Sequence, residues 1–190
     1  MSTIPTNYPG NGKMIFKETI ISGAFIVQPI PIYDSRGFFS RSFCAKEFEE
    51  CGLRPVVAQC NISFNLLKGT LRGIHFRIAP GKEAKLVRCT RGAIYDVVVD
   101  LRPDSPTYKS WFGIELNSEN RLGLYIPERC GHGFQTLDEN TEVFYQMSEF
   151  YEPELERGIC YNDPSIAIEW PLPVSVISER DKALPLLRGE

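Results

Sequence analysis

From Met14 onward, the chain is a succession of short β-rich segments separated by Gly, Pro, Asn and Asp. The breaks recur at roughly the 8–12-residue spacing that is typical of antiparallel sandwiches and barrels. No amphipathic segment of helical length alternates with these runs, which disfavours a parallel sheet built from β–α–β units. The sequence therefore predicts an all-β fold, an antiparallel sandwich or jelly roll with short helical edges.

Three segments carry more specific predictions. AKEFEECG, residues 45–52, predicts a short helix that Gly52 terminates. ISERDKALP, residues 177–185, predicts a single helical turn. NDPSIAIEWPLP, residues 162–173, predicts a strand marked by prolines.

The run AIYDVVVDL, residues 93–101, predicts what the interior looks like. Side chains of a strand alternate between its two faces, so Ile94, Asp96 and Val98 share one face. A face that mixes apolar and acidic side chains suits a barrel whose interior is a polar pocket. We therefore expect a ligand site inside the β-fold.

Length and charge limit the classes of function. The 190 residues suit one domain, which we assign to residues 14–190, after a flexible arm of residues 1–13. A net charge of −3 argues against a sequence-independent nucleic-acid binder, although it permits a small anionic ligand. No apolar run has signal-peptide or membrane-spanning length, and the six cysteines include no Cys-x-x-Cys pair. We expect a soluble, cytoplasmic protein with reduced cysteines and no membrane partner.

The stretch KGTLRGIHFRIAPGKEAK, residues 68–85, concentrates groups that could bind an anion. It holds His75, with Arg72 before it and Lys85 after it. A regular strand would place Arg72 and His75 on opposite faces, unless Gly73 bulges or twists the chain. The alternative interpretation is a surface strand with solvated cations and a core histidine.

A metal site is disfavoured, because the chain has only His75 and His132 and neither belongs to a His-x-His pair. Proton chemistry fits better, with His75 as a general base oriented by either Asp163 or Asp181. Tyr145 is one of several tyrosines that could act as the opposing acid.

Two further roles are open to cations of the chain. Lys85 could stabilise an oxyanion if it is buried beside the base. Arg36 and Arg72 are each followed by Gly, so a guanidinium stands beside a backbone that can approach a phosphate.

Eight segments, taken together, resemble the dTDP-4-dehydrorhamnose 3,5-epimerase family of nucleotide-sugar epimerases, and they cover nearly all of residues 16–185. These segments are DSRGFFSRSF (34–43), QCN (59–61), GTLRGIH (69–75), KLVRCTRGAIYDVVVDLRPDSPTY (85–108), ELNSENR (115–121), YIPERCGHGF (125–134), VFYQMSEFYEPELERGICYNDP (143–164) and ISERDKALP (177–185). The resemblance implies a cupin-type β jelly roll, a homodimer, and no metal or other cofactor. It also implies inversion of C3, C5 or both in a nucleotide-linked 4-keto-6-deoxyhexose, in rhamnose-like or O-antigen deoxysugar biosynthesis.

The resemblance also implies roles for individual residues. His75 matches the base that removes the proton next to the C4 ketone, and Asp181, rather than Asp163, matches its paired carboxylate. Lys85 matches the group that stabilises the enolate oxygen, and Tyr145 matches the acid. The expected substrate-binding residues are Arg36 and Arg72 for the diphosphate, with Phe39, Gln59, Asn61, His132, Phe134 and Tyr151 along the sugar or nucleotide pocket.

The chain departs from the family pattern at three places. Arg41 replaces the glutamate of the pattern RGFFxE, Cys60 replaces the aspartate of QDN, and Arg77 replaces the glutamine of HxQ. An arginine facing the nucleobase would suit the hydrogen-bond acceptors of cytosine. This raises the hypothesis that the substrate carries CDP in place of dTDP. The alternative to an enzyme is a cupin that binds a nucleotide sugar without catalysis, while a metal-dependent cupin is disfavoured.

Overall fold

Two antiparallel sheets face each other and enclose the main apolar core. The computed structural model describes residues 12–187, and within them the first sheet has the order β1 (Ile15–Glu18), β2 (Phe25–Gln28), β10 (Gly123–Ile126), β7 (Lys85–Arg91), β12 (Thr141–Met147), β5 (Gln59–Asn65). The second sheet has the order β13 (Glu156–Gly158), β6 (Thr70–Arg77), β11 (Cys130–Thr136), β8 (Ala93–Asp100), β9 (Trp111–Asn117), with β14 (Val176–Ile177) parallel to β6. The predicted all-β, antiparallel architecture is confirmed.

Short elements lie at the periphery of the two sheets. β3 (Ile32–Asp34) and β4 (Gly37–Phe39) form a separate hairpin. Helix α1 (Ala45–Glu50) ends, as predicted, before Gly52, whose φ of +70° is accessible to glycine at little cost. Helix α2 (Glu179–Lys182) is the expected single turn, and a 3₁₀ turn spans Pro153–Leu155.

Apolar side chains form three layers around the sheets. Ile94 and Val98 of β8 pack in the central layer against Val87, Leu116 and Phe134. Outside the first sheet, α1 contributes Phe48 to a second cluster, and outside the second sheet the C-terminal segment covers a third. The outer face of each sheet is thus partly covered. The central layer fills part of the space between the sheets, and a site can form at the end of that space.

The predicted strand at residues 162–173 is wrong. This segment has no ladder pairing, although Ile166, Ile168 and Trp170 pack against the outer face of the second sheet. The alternation of apolar residues thus reflects burial of one side of an irregular segment, in which the N–H groups of Ile166 and Ala167 donate to the Asp163 carbonyl in a turn. Two short strands, β13 and β14, were not predicted.

The described part of the chain contains no helix long and apolar enough to cross a membrane. The flexible arm predicted for residues 1–13 falls largely outside the described residues, which begin at residue 12. Met14, the first residue of the assigned domain, is buried and its backbone N–H donates to Glu47.

Candidate active site

A cavity of about 330 Å³ opens between the two sheets and receives side chains from both. The first sheet contributes through β5, β7 and β12, and the second through β6 and β11, while α2 and the segment after β12 close one side. The lining residues are Gln59, Asn61, Arg72, His75, Lys85, His132, Phe134, Tyr145, Met147, Tyr151, Glu156, Ser178, Arg180 and Asp181.

Gly73 brings Arg72 and His75 into the same cavity. The pairing of β6 with β11 shifts register here, so that Arg72 faces Phe134 and His75 faces His132. Gly73 has a φ of +108°, and a Cβ on it would lie 2.6 Å from the His132 carbonyl oxygen. Only glycine fits this close approach, and the irregularity at Gly73 is the exception under which the sequence allowed Arg72 and His75 to share a side.

His75 is hydrogen-bonded to Asp181, with 2.7 Å between Nε2 and Oδ1. The other carboxylate oxygen accepts the backbone N–H of Gly73 at 3.1 Å, and the Asp181 N–H donates to the Ser178 side chain that caps α2. Burial raises the pKa of Asp181, but the hydrogen bond and charge of His75, with the Gly73 N–H and Arg180, outweigh it and hold the pKa below its usual value. An ionised Asp181 accepts a hydrogen bond from Nε2–H of His75. In that tautomer, Nδ1 of a neutral His75 has a lone pair that can take a proton.

The competing carboxylate, Asp163, lies elsewhere. Its oxygens accept from the backbone N–H groups of Ser165 and Leu187 and from the Ser165 hydroxyl, so it holds the C-terminal segment. Asp181 is therefore the carboxylate that the fold places on His75.

Lys85 and Tyr145 enter the cavity from the sheet opposite His75. Lys85 begins β7, and its Nζ lies 3.2 Å from Glu83 Oε1. Tyr145 is in β12, directly across from Val87, and its ring packs partly against the central core. A ligand in the cavity would therefore have the imidazole on one side and the hydroxyl on the other.

A second histidine–aspartate pair lies beside the first. His132 Nε2 is 2.7 Å from Asp96 Oδ1, and Asp96 is fully buried. Burial raises the pKa of Asp96, against the lowering effects of His132 and of the Lys85 charge. The interior acidic face predicted for β8 thus reaches the cavity through His132.

The cavity mouth is held by polar contacts. Arg72 Nε donates to Asn65 at 2.8 Å, and Gln59 accepts the backbone N–H of Tyr151 at 3.0 Å. Tyr151 donates to Glu156 at 3.0 Å, and Arg180 pairs with the same carboxylate at 2.9 Å. Arg72 and Arg180 make this mouth suitable for an anion.

Three predicted binding residues do not line this cavity. Arg36 and Phe39 lie on the exposed β3–β4 hairpin, where Arg36 pairs with Asp34. Arg41 forms a hydrogen-bonded ion pair with Glu47 at the start of α1. The cytosine hypothesis required Arg41 to face the ligand, and within its own chain the guanidinium is occupied by Glu47 instead.

Sequence reasoning missed several groups at or next to the cavity. Glu83, Asp96, Glu156 and Arg180 were not assigned, because their contacts depend on strand register, on the path of a loop or on packing between distant segments. The mixed face of β8 was the one signal that pointed to Asp96.

Comparisons with known proteins match most of the chain. The family described as dTDP-4-dehydrorhamnose 3,5-epimerase matches residues 18–189. A relative of that name from Salmonella typhimurium is 42% identical over 176 residues, which are 92% of this chain and 96% of the relative.

Two solved structures superpose over most of the chain. The dTDP-4-dehydrorhamnose 3,5-epimerase of Bacillus anthracis, with TDP and PPi bound, has a TM-score of 0.88 and 40% identity, and the match covers 92% of this chain and 100% of that one. The dTDP-6-deoxy-D-glucose-3,5-epimerase of Legionella pneumophila, in complex with dTDP-4-keto-L-rhamnose, has a TM-score of 0.85 and 39% identity, with coverage of 92% and 93%. The jelly-roll expectation is confirmed.

Proposed function

Since the chain belongs to the dTDP-4-dehydrorhamnose 3,5-epimerase family, we propose that it inverts carbons next to the C4 ketone of dTDP-4-keto-6-deoxyglucose. The enzyme is an isomerase of deoxysugar biosynthesis, and its substrate is a nucleotide sugar. We infer dTDP as the nucleotide, because the named relatives act on dTDP sugars and Arg41 is paired with Glu47.

One observation carries the proposal: His75 and Tyr145 project into one cavity from opposite sheets. Inversion of a carbon requires that the proton leave from one face and return to the other. A base and an acid on the same wall could not do this to a ring held in one position.

In the proposed mechanism, the free ring nitrogen of His75 takes the proton from the carbon beside the ketone. The C–H electron pair moves into a new C=C bond, and the C4 carbonyl pair moves onto oxygen. Asp181 accepts the other ring N–H and stabilises the imidazolium that forms.

Lys85 provides the positive charge for the enolate oxygen, and Tyr145 delivers a proton to the opposite face of the carbon. The enolate pair then returns to the carbonyl, which leaves Tyr145 as phenolate and His75 protonated. A preorganised charge at a developing oxyanion is worth several kcal/mol, on the order of 3–4.

We propose that the diphosphate is bound by Arg72 at the cavity mouth and by Arg36 of a second copy of the chain. Arg36 and Phe39 lie outside the cavity of their own chain, and Phe39 is 72% exposed on a hairpin that joins neither sheet. The edge strand β5 also presents Ile62 and Phe64 to solvent, which supports a homodimer through this edge. Sedimentation at micromolar concentration, repeated with Phe64→Glu, tests the assembly.

The decisive experiment is incubation of dTDP-4-keto-6-deoxyglucose in D₂O, followed by NMR. Deuterium is expected at C3, at C5 or at both, and the pattern decides which centres are inverted, because one catalytic set serves either outcome. No incorporation at either carbon would refute the epimerase.

A His75→Ala variant separates catalysis from simple binding. The enzyme should lose incorporation while it still binds dTDP in calorimetry. A protein that only binds nucleotide sugars would show no incorporation before the substitution either.

A further inference from the structure

Behind Lys85, on the side away from the cavity, lies a buried ion pair. Arg77 Nε is 3.1 Å from Glu83 Oε2, and the two side chains are 4% and 5% exposed. The other oxygen, Oε1, is the one 3.2 Å from Lys85 Nζ. Each oxygen of Glu83 therefore contacts a different cation. One is the buried Arg77, and the other is Lys85 in the cavity wall.

Arg77 also reaches the segment that carries Tyr151. Its Nη2 donates to the Phe150 carbonyl at 2.6 Å, and its Nη1 lies 3.6 Å from Glu149. A small cavity of about 40 Å³ is lined by Arg77 and Glu83 and shares His75 and Lys85 with the lining of the main cavity. The pair thus lies next to the base and the lysine and holds the segment at the mouth.

The charges of the group explain its composition. A lysine has a flexible four-carbon stem, so a carboxylate beneath it reduces the number of positions that its ammonium occupies. A carboxylate alone would also cancel the ammonium charge. With Arg77 present, the charge of Glu83 is shared between two cations, so the carboxylate does not neutralise Lys85 alone.

We propose that Arg77 and Glu83 form a positioning unit that holds Lys85 toward the enolate oxygen and preserves its charge. The proposal rests on the proposed function and adds two residues to it that act through Lys85. It also gives a role to Arg77, at which the chain departs from the HxQ pattern.

The competing interpretation is a buried ion pair that only stabilises the fold. Removing one partner of such a pair leaves an uncompensated charge and is strongly destabilising, whereas replacing both partners by neutral groups is far less harmful. Stability and turnover can therefore be separated by comparing single and double variants.

The test compares Glu83→Gln, Arg77→Gln and the double variant with the wild type, by thermal unfolding, dTDP calorimetry and deuterium incorporation. Both single variants should lose stability, and the double variant should recover most of it because neither the Arg77 guanidinium nor the Glu83 carboxylate is left buried without the other. If the pair positions Lys85, kcat of the double variant stays roughly 10–100-fold below wild type while KM and dTDP affinity change by less than about twofold.

The matched control is Asp100→Asn, which removes a buried carboxylate from an ion pair with Arg102 away from the cavity. It should lose stability and keep kcat. Recovery of both stability and kcat in the double variant would overturn the proposal. Absence of deuterium incorporation by the wild type would instead refute the proposed function, so the two failures are distinguishable.

Discussion

The two histidine–aspartate pairs have the same length and opposite surroundings. His75–Asp181 and His132–Asp96 each join Nε2 to Oδ1 over 2.7 Å, from neighbouring strands that place the two histidines face to face. Yet the His75 side chain is 26% exposed and the His132 side chain 9%. A short hydrogen bond by itself therefore does not identify the base.

The carboxylates account for the difference. Both oxygens of Asp181 are hydrogen-bonded, and its pKa is below the usual range, which favours an ionised partner for His75. Asp96 is fully buried with a raised pKa, and its Oδ2 has no partner within residues 12–187. An ionised carboxylate can stabilise an imidazolium, so the surroundings of Asp181 support the proposed role of His75 as the base.

Gly73→Ala should break the comparison most severely. The new Cβ would lie 2.6 Å from the His132 carbonyl oxygen and 2.7 Å from Gly133 Cα, so the strands must separate and the Gly73 N–H must leave Asp181. We expect a loss of at least about 3 kcal/mol of unfolding free energy and no detectable turnover. Urea unfolding and deuterium incorporation measure the two effects.

Gly37→Ala is the matched control for stability. Gly37 has a φ of +131°, but no described atom lies within 4 Å of the place that a Cβ would take in the hairpin. The variant should lose only the cost of the backbone conformation, about 1–3 kcal/mol, without the added clash with a neighbouring strand. Equal losses in the two variants would show that close packing at Gly73 is not what matters.

Asp181→Asn and Asp96→Asn should separate the two pairs by activity. Asparagine at 181 cannot fix the same tautomer or stabilise the imidazolium, and the loss in kcat should be on the order of 10³–10⁴-fold. Asparagine at 96 replaces a carboxyl group that is costly to bury and leaves the contacts of His75 unchanged, so the loss should be about tenfold or less. Steady-state kinetics under matched conditions decides, and equal losses would contradict the division of roles.

The smallest effect concerns stability in acid, where the two aspartates should act with opposite signs. The pKa of Asp181 is lowered from 3.8, so its contribution to stability is present above about pH 4 and is lost as pH falls through the folded-state value. The pKa of Asp96 is raised from 3.8, so the fold gains stability from it as pH falls through the raised folded-state value toward 3.8. His75 and Arg180 are among the groups that lower the pKa of Asp181. His132 and Lys85 lower that of Asp96, but burial outweighs them.

Urea unfolding between about pH 7 and pH 3 tests this expectation. Relative to wild type, Asp181→Asn should lose part of the decline at the acid end. Asp96→Asn should start with equal or greater stability and lack the gain on acidification. Parallel curves for the three proteins would contradict the assignment of opposite shifts.

The sequence was sufficient to predict strands that are buried on both faces of a sheet and flanked by turn residues. β8 and β6 were located in this way, and the glycine between Arg72 and His75 signalled the irregularity that the structure has. The same signal misled at residues 162–173, where prolines and irregular backbone accompany the same alternation.

The long-range pairs were beyond the reach of sequence patterns. Asp181 was placed on His75 by resemblance alone, since 106 residues separate them. Asp96 meets His132 through strand register, which a single sequence does not specify, and Glu83 meets Arg77 through the path of the loop between β6 and β7. The pairing of Arg41 with Glu47 likewise depends on how α1 packs against the first sheet.

The placement of His75 and Tyr145 on opposite walls has a kinetic consequence. In the proposed mechanism, each inversion leaves the histidine with one proton more and the tyrosine with one fewer, so the enzyme that releases product differs from the one that bound substrate. Before the protein can repeat the same inversion, the histidine must lose its extra proton to solvent at the open mouth and the tyrosine must regain one. Free enzyme thus exists as two interconverting protonation forms, one poised for the forward direction and one for the reverse. Turnover can then be limited by this recycling step, even when C–H cleavage is fast.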